Sequence, residues 1–146
     1  MSLLCLFGKI CWAPVLSIPI LKQTDAKQIN CIASAIYHEA GNQRLQGKLA
    51  VAFVIFNRSQ LYDMDVCQVI HQAHQFRWKE TKTFYHEQYD QALEIATSMY
   101  LNQSYYKDNT NGALFFHALY VHPKWPYKKT IQIQGHIFYT LKIIAF

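Results

Sequence analysis

The chain has 146 residues, of which 51% are hydrophobic and 15% aromatic. That length allows one domain with a buried core, and the composition excludes a disordered chain. A net charge of +5 and a pI near 9.0 suit an anionic partner: nucleic acid, anionic lipid, or a wall rich in carboxylate and phosphate. The basic residues are scattered, densest at Lys124, Lys128 and Lys129, with no basic helix or nucleic-acid motif, so no nucleic-acid partner is expected.

Residues 1–23 form an apolar N-terminal segment. Its length suits a signal or a membrane anchor. Lys9, Pro14 and Pro19 interrupt it and no basic region precedes it, which fits a signal poorly. A signal, an anchor with membrane contact and a start placed too far upstream all stay open; an export-related role is favoured.

The organised domain is expected over residues 24–146. Thr24 is placed to cap a helix whose first turn carries Asp25. Ile29, Ile32, Ala33 and Ile36 then mark one helical face, and Glu39 follows at i+3 in the last turn. Gly41-Asn42 breaks the chain. A second helix is expected from Leu45 to Asn57; its stretch from Leu49 to Phe56 is apolar on all sides, as in a helix through the centre of a domain. Asp65 to His71 reads as a short helix, Gln75-Phe76-Arg77-Trp78 as a loop rich in ligand-contacting groups, and Thr83 to Leu101 as a longer helix. Asp108 to Gly112 is a turn, and Ala113 to Ala118 is extended. His122-Pro123-Lys124-Trp125-Pro126 is a rigid loop. Thr130 to Tyr139 alternates around a pause at Gly135, which predicts a hairpin. The fold class is mainly α (α+β), with a small extended element near the C-terminus.

Glu39 is the leading chemical candidate. A carboxylate at a helix C-terminus opposes the helix dipole, and a position kept in spite of that invites a functional reading. Cleavage of a glycosidic bond needs an acid that stays protonated near neutral pH, and an apolar wall supplies this by raising the pKa. Most glycosidases use a second carboxylate. None of the other acidic residues stands in a chemical context. One glutamate suffices if it acts first as acid and then as base on the C6 hydroxyl of the sugar itself. An ordinary surface glutamate is the competing reading.

His71 with His74, and His117 with His122, have spacings compatible with metal pairs but belong to no known ligand set, so no metal or cofactor is expected. A Cys-His hydrolase would need Cys31 or Cys67 as nucleophile with His117 or His136 as base, and neither cysteine carries a nucleophile signature. For Cys31 and Cys67, a disulfide and two buried thiols are equal readings at this point. Gln75, Phe76, Trp78, His117, Tyr120, Trp125, His136 and Tyr139 are able to line a sugar-binding groove, though an aromatic core explains part of the same set.

The segments Tyr37-His38-Glu39-Ala40, Gly47, Ala50-Val51-Ala52 and Asn57-Arg58 resemble the SleB-type cell-wall hydrolases. The likeness continues through Val66 to Ile70, Gln75-Phe76 with Trp78, and Gly112-Ala113-Leu114. His117-Ala118, Val121 with Pro123 and Trp125, Gly135-His136 and Phe138-Tyr139 complete it. It covers about residues 28 to 140 in one order. The resemblance implies a lysozyme-like, mostly helical fold and cleavage of the MurNAc–GlcNAc bond of peptidoglycan, often as a lytic transglycosylase. It implies Glu39 as the catalytic acid, with Tyr37, Asn57, Gln75, Phe76, Trp78, His117, Trp125, His136 and Tyr139 lining or supporting the cleft. It also implies a Cys31–Cys67 disulfide and a monomer acting on glycan strands outside the cytoplasm, in the wall or in phage lysis. Three departures stand out. Gly41-Asn42-Gln43 replaces a charged Arg-Gly-acid loop, Arg77 a small residue, and Phe53 a frequent histidine. The altered loop makes a non-catalytic peptidoglycan-binding module the alternative.

Overall fold

The computed structural model describes residues 22–72, 76 and 84–143. The expectations for residues 1–21, and for Gln75 and Trp78, lie outside the described residues. Four α-helices, α1 (Gln23–Ala40), α2 (Leu45–Tyr62), α3 (Val66–Ile70) and α4 (His86–Leu101), precede three strands, β1 (Phe115–Ala118), β2 (Lys128–Ile133) and β3 (His136–Thr140). The strands form one antiparallel sheet in the order β1-β3-β2. This is the α+β, mainly helical class expected from the sequence.

The periodic face of α1 is buried: Ile29, Ile32, Ala33 and Ile36 pack with Ala92, Ala96 and Met99 of α4 and with Val69 of α3. Helix α2 explains its own lack of polarity. One side, with Val51, Ala52, Ile55 and Phe56, faces the helical core. The other, with Ala50 and Val54, meets Phe138 of β3 and Ala113. A helix sandwiched between a helical layer and a sheet has no solvent face over its middle turns.

Local chemistry sets the boundaries. Lys22, not Thr24, takes the extended N-cap conformation of α1, and no side chain caps it. The Lys22 carbonyl already accepts from the Asp25 and Ala26 amides, so the helix starts one residue before the expected cap. Helix α2 runs five residues past Asn57 and ends where Asp63 turns left-handed (φ 52°). Asp65 and Gln68 form a reciprocal capping box on α3, which lets so short a helix hold. Helix α4 begins at His86 rather than Thr83, after Tyr85 in extended conformation. The turn before β1 is organised by Asp108. Its Oδ1 accepts from the Thr110 amide (2.7 Å) and hydroxyl (2.6 Å), and its Oδ2 from the Gly112 amide (2.9 Å) and Asn57 Nδ2 (3.0 Å).

Cys31 and Cys67 are disulfide-bonded, with their Cα atoms 5.4 Å apart, tying α3 to α1. Neither sulfur is available as a thiol nucleophile, which removes the Cys-His reading. No described helix is long and apolar enough to cross a membrane.

Candidate active site

The end of α1, the α1–α2 loop, the loop after β1 and the β2–β3 turn enclose a cleft of about 920 Å³. Glu39 is its one carboxylate among the described lining residues. The helical repeat that buries Ile36 brings Glu39 round to the rim of the core. There burial raises its carboxyl from 4.5 to about 7. Its proton is therefore held to higher pH than that of an ordinary carboxyl.

Across the cleft stand two imidazoles. On β3 the two-residue strand period puts His136 on the same face as Phe138, so the core side of the strand continues into the cleft wall. Burial, and then the nearby His117, lower the His136 pKa to about 4, so this ring is neutral at pH 7. Its Nδ1 accepts from Gln43 Nε2 at 2.8 Å, which assigns the proton to Nε2. His117 on β1 is buried. Its Nδ1 donates to the Ala118 carbonyl (2.8 Å), and its Nε2 accepts from the Tyr139 hydroxyl (2.9 Å).

The loop that departs from the family pattern therefore belongs to the site. Besides the Gln43–His136 bond, the Arg44 amide donates to Gln134 Oε1 at 2.9 Å. Gln134 holds a left-handed conformation (φ 48°) in the β2–β3 turn. Two glycines make room. A Cβ on Gly47 would lie 2.1 Å from Gln43 Oε1, and one on Gly41 2.4 Å from the Tyr37 carbonyl. Gln43 Oε1 is buried without a donor among the described residues, a cost of about 1–3 kcal/mol borne at the site.

Of the residues expected at the site, Glu39, His117, Tyr120 and His136 line this cleft. Phe76 and Trp125 line a second pocket, together with His117. Tyr139 reaches the cleft wall through its hydrogen bond to His117. Two of the expected residues stand behind the cleft wall. Tyr37 is buried among Phe84 and Tyr89, and its hydroxyl accepts from the Tyr85 amide (3.0 Å), anchoring α4. Asn57 donates to Asp108 and to the Ala113 carbonyl, both at 3.0 Å, joining α2 to the turn before β1. Neither lines the cleft. Gln43, Arg44 and Gln134 were not foreseen. The loop's partners lie some ninety residues away, and no local pattern signals them. Among the described residues no group of three or more His, Cys, Asp or Glu is placed to hold a metal.

An α+β domain whose open polar cleft is lined by one half-buried carboxylic acid and by two imidazoles across from it carries groups able to exchange protons with a bound substrate. The Cell Wall Hydrolase family model matches residues 42–139, more than half of the chain, and the chain belongs to that family. Glu39 precedes the first matched residue, so its candidacy rests on the geometry of the cleft. Neither the curated proteins nor the solved structures gave a match. Membership of the family makes the chain a cell-wall hydrolase with peptidoglycan as its substrate.

Proposed function

We propose that the chain is a peptidoglycan glycosidase that cuts the MurNAc–GlcNAc bond as a lytic transglycosylase, with Glu39 as its acid and base. The observation that carries this reading is Glu39 itself, held near pKa 7 as the one carboxylate among the described lining residues of the cleft. In the first step the Glu39 carboxyl protonates the bridging oxygen. The bond from C1 to that oxygen breaks and positive charge develops on the muramoyl ring. In the second, the Glu39 carboxylate takes the proton of the C6 hydroxyl, whose oxygen bonds to C1. The 1,6-anhydro end forms without consuming water, and Glu39 regains its proton. A pKa near the working pH suits a group that both gives and takes the proton. His136 Nε2–H is available as a neutral donor to the substrate. The Cys31–Cys67 disulfide supports action outside the cytoplasm, where such bonds persist.

Mass spectrometry of products from purified peptidoglycan tests the reading. Anhydro-muramyl ends from the wild type and none from Glu39→Gln are expected. Reducing ends carrying an added water would replace it with a lysozyme-type hydrolase. Glycan binding without products from either protein would leave a binding module.

A further inference from the structure

Arg58 is 3% exposed, yet no described carboxylate faces it. One terminal nitrogen donates to the Leu114 carbonyl at 3.2 Å and the other to Gln72 Oε1, both neutral acceptors. Its Nε is buried without an acceptor among the described residues. Burial pushes the guanidinium pKa down, and among the described residues the phenols of Tyr62 and Tyr127 oppose this. The rings of Tyr62 and Phe115 lie 5.2 and 5.4 Å from its central carbon, which softens the cost of a buried cation but supplies no anion among the described residues.

Arg58 lines a pocket of about 350 Å³ walled by Phe76, Phe115, Trp125 and Tyr127. Phe115 and Tyr127 are stacked 4.1 Å apart and Trp125 closes on both, so the wall is preformed. Phe116 and His117 line both this pocket and the Glu39 cleft, so the two adjoin. A buried fork of donors among aromatic rings matches a carboxylate carried on a short apolar arm.

We propose that this pocket is a subsite for the acidic peptide stem of the cell-wall polymer, with a stem carboxylate on Arg58 and the neighbouring aliphatic groups on the rings. The inference rests on the glycosidase reading of the adjoining cleft: muramic acid is the sugar that carries the peptide, so a stem subsite beside Glu39 fixes which sugar sits at the acid. Arg58 is then a specificity-determining residue.

The test is calorimetric titration of the full chain as Glu39→Gln with three probes: N-acetylmuramoyl-alanyl-glutamate with free carboxylates, its bis-amide, and chitotriose. The free acid is expected to bind at least about tenfold tighter than the bis-amide. Arg58→Met is expected to erase that difference while leaving chitotriose binding unchanged. Equal affinity for acid and bis-amide overturns the proposal, as does a difference that survives in Arg58→Met. If Arg58→Met does not fold, Trp125→Ala at the rim of the same pocket decides: it is expected to weaken the acid form, and an unchanged preference overturns the subsite. Glycan cleavage by the wild type is scored separately. No products, with acid-over-amide preference intact, overturns the glycosidase reading and upholds the pocket as an acidic-peptide site.

Discussion

At the scale of single residues the proposed mechanism depends on two protons, one held on Glu39 and one assigned to His136. Loss of a positioned general acid costs about 10²–10⁴ in rate, so Glu39→Gln is expected to lower kcat/KM on glycan strands by at least about a hundredfold. With the free-enzyme acid near 7, kcat/KM falls as pH rises through that value, and a flat profile from pH 5 to about 9 would remove Glu39 from the role of acid. The same burial has a stability consequence. A carboxyl raised from 4.5 to about 7 favours the folded state below its unfolded value, and that contribution is lost as pH rises through 7. Glu39→Gln is therefore expected to be the more stable protein at pH 8, by on the order of 2 kcal/mol, in thermal or urea unfolding. Gly47→Ala isolates the second proton. The new methyl displaces the Gln43 amide from His136 while raising helix propensity by about 0.5–1 kcal/mol. Activity is expected to fall with little or no loss of melting temperature, and imidazole nitrogen shifts are expected to show His136 losing its fixed tautomer.

At the scale of elements, covalent and hydrogen-bonded ties hold short pieces that would not persist alone. Helix α3 has five residues, and its disulfide closes a separation of 36 residues. Chain-entropy reasoning assigns such a link about 3–4 kcal/mol, so reduction is expected to lower the melting temperature by several degrees. An unchanged melting temperature would show that packing of Val66 and Val69 alone suffices. The turn before β1 depends in the same way on Asp108. Burial pushes its carboxyl up, and the bonds from Thr110, Asn57 and Gly112 outweigh this and lower it. Asp108→Ala strands those donors and is expected to cost about 2–3 kcal/mol in denaturant unfolding. With a depressed folded pKa, the stability Asp108 supplies is present above its unfolded value and is lost as pH falls below it.

For the whole molecule, Glu39 and His136 bias stability in opposite directions. His136, lowered from 6.5 to about 4, contributes stability above 6.5 that is lost as pH falls through 4. Between about 4.5 and 6.5 the two slopes oppose each other, and Glu39→Gln is expected to expose the His136 slope as a rise in stability with pH across that window. Urea titrations at four pH values check this. The period of Ile29, Ile32 and Ile36, the uniformly apolar middle of α2, the Asp108 turn and the hairpin around Gly135 were all legible in the sequence. Each is a local preference or a one-dimensional pattern, and the position of Glu39 at the end of the first helix followed from the same periodicity. The pairing of β1 with β3, the removal of Tyr37 and Asn57 from the cleft, and the docking of Gln43 and Arg44 on the β2–β3 turn were not. These depend on which surfaces meet once α2 lies between the helices and the sheet, and contacts some ninety residues apart leave no trace in spacing. The sequence by itself determined the helices, the turns and the place of Glu39 at the end of the first helix. Only the tertiary structure decided that the Glu39 carboxyl is raised and which groups share its cleft, because both depend on how much water the packed chain excludes.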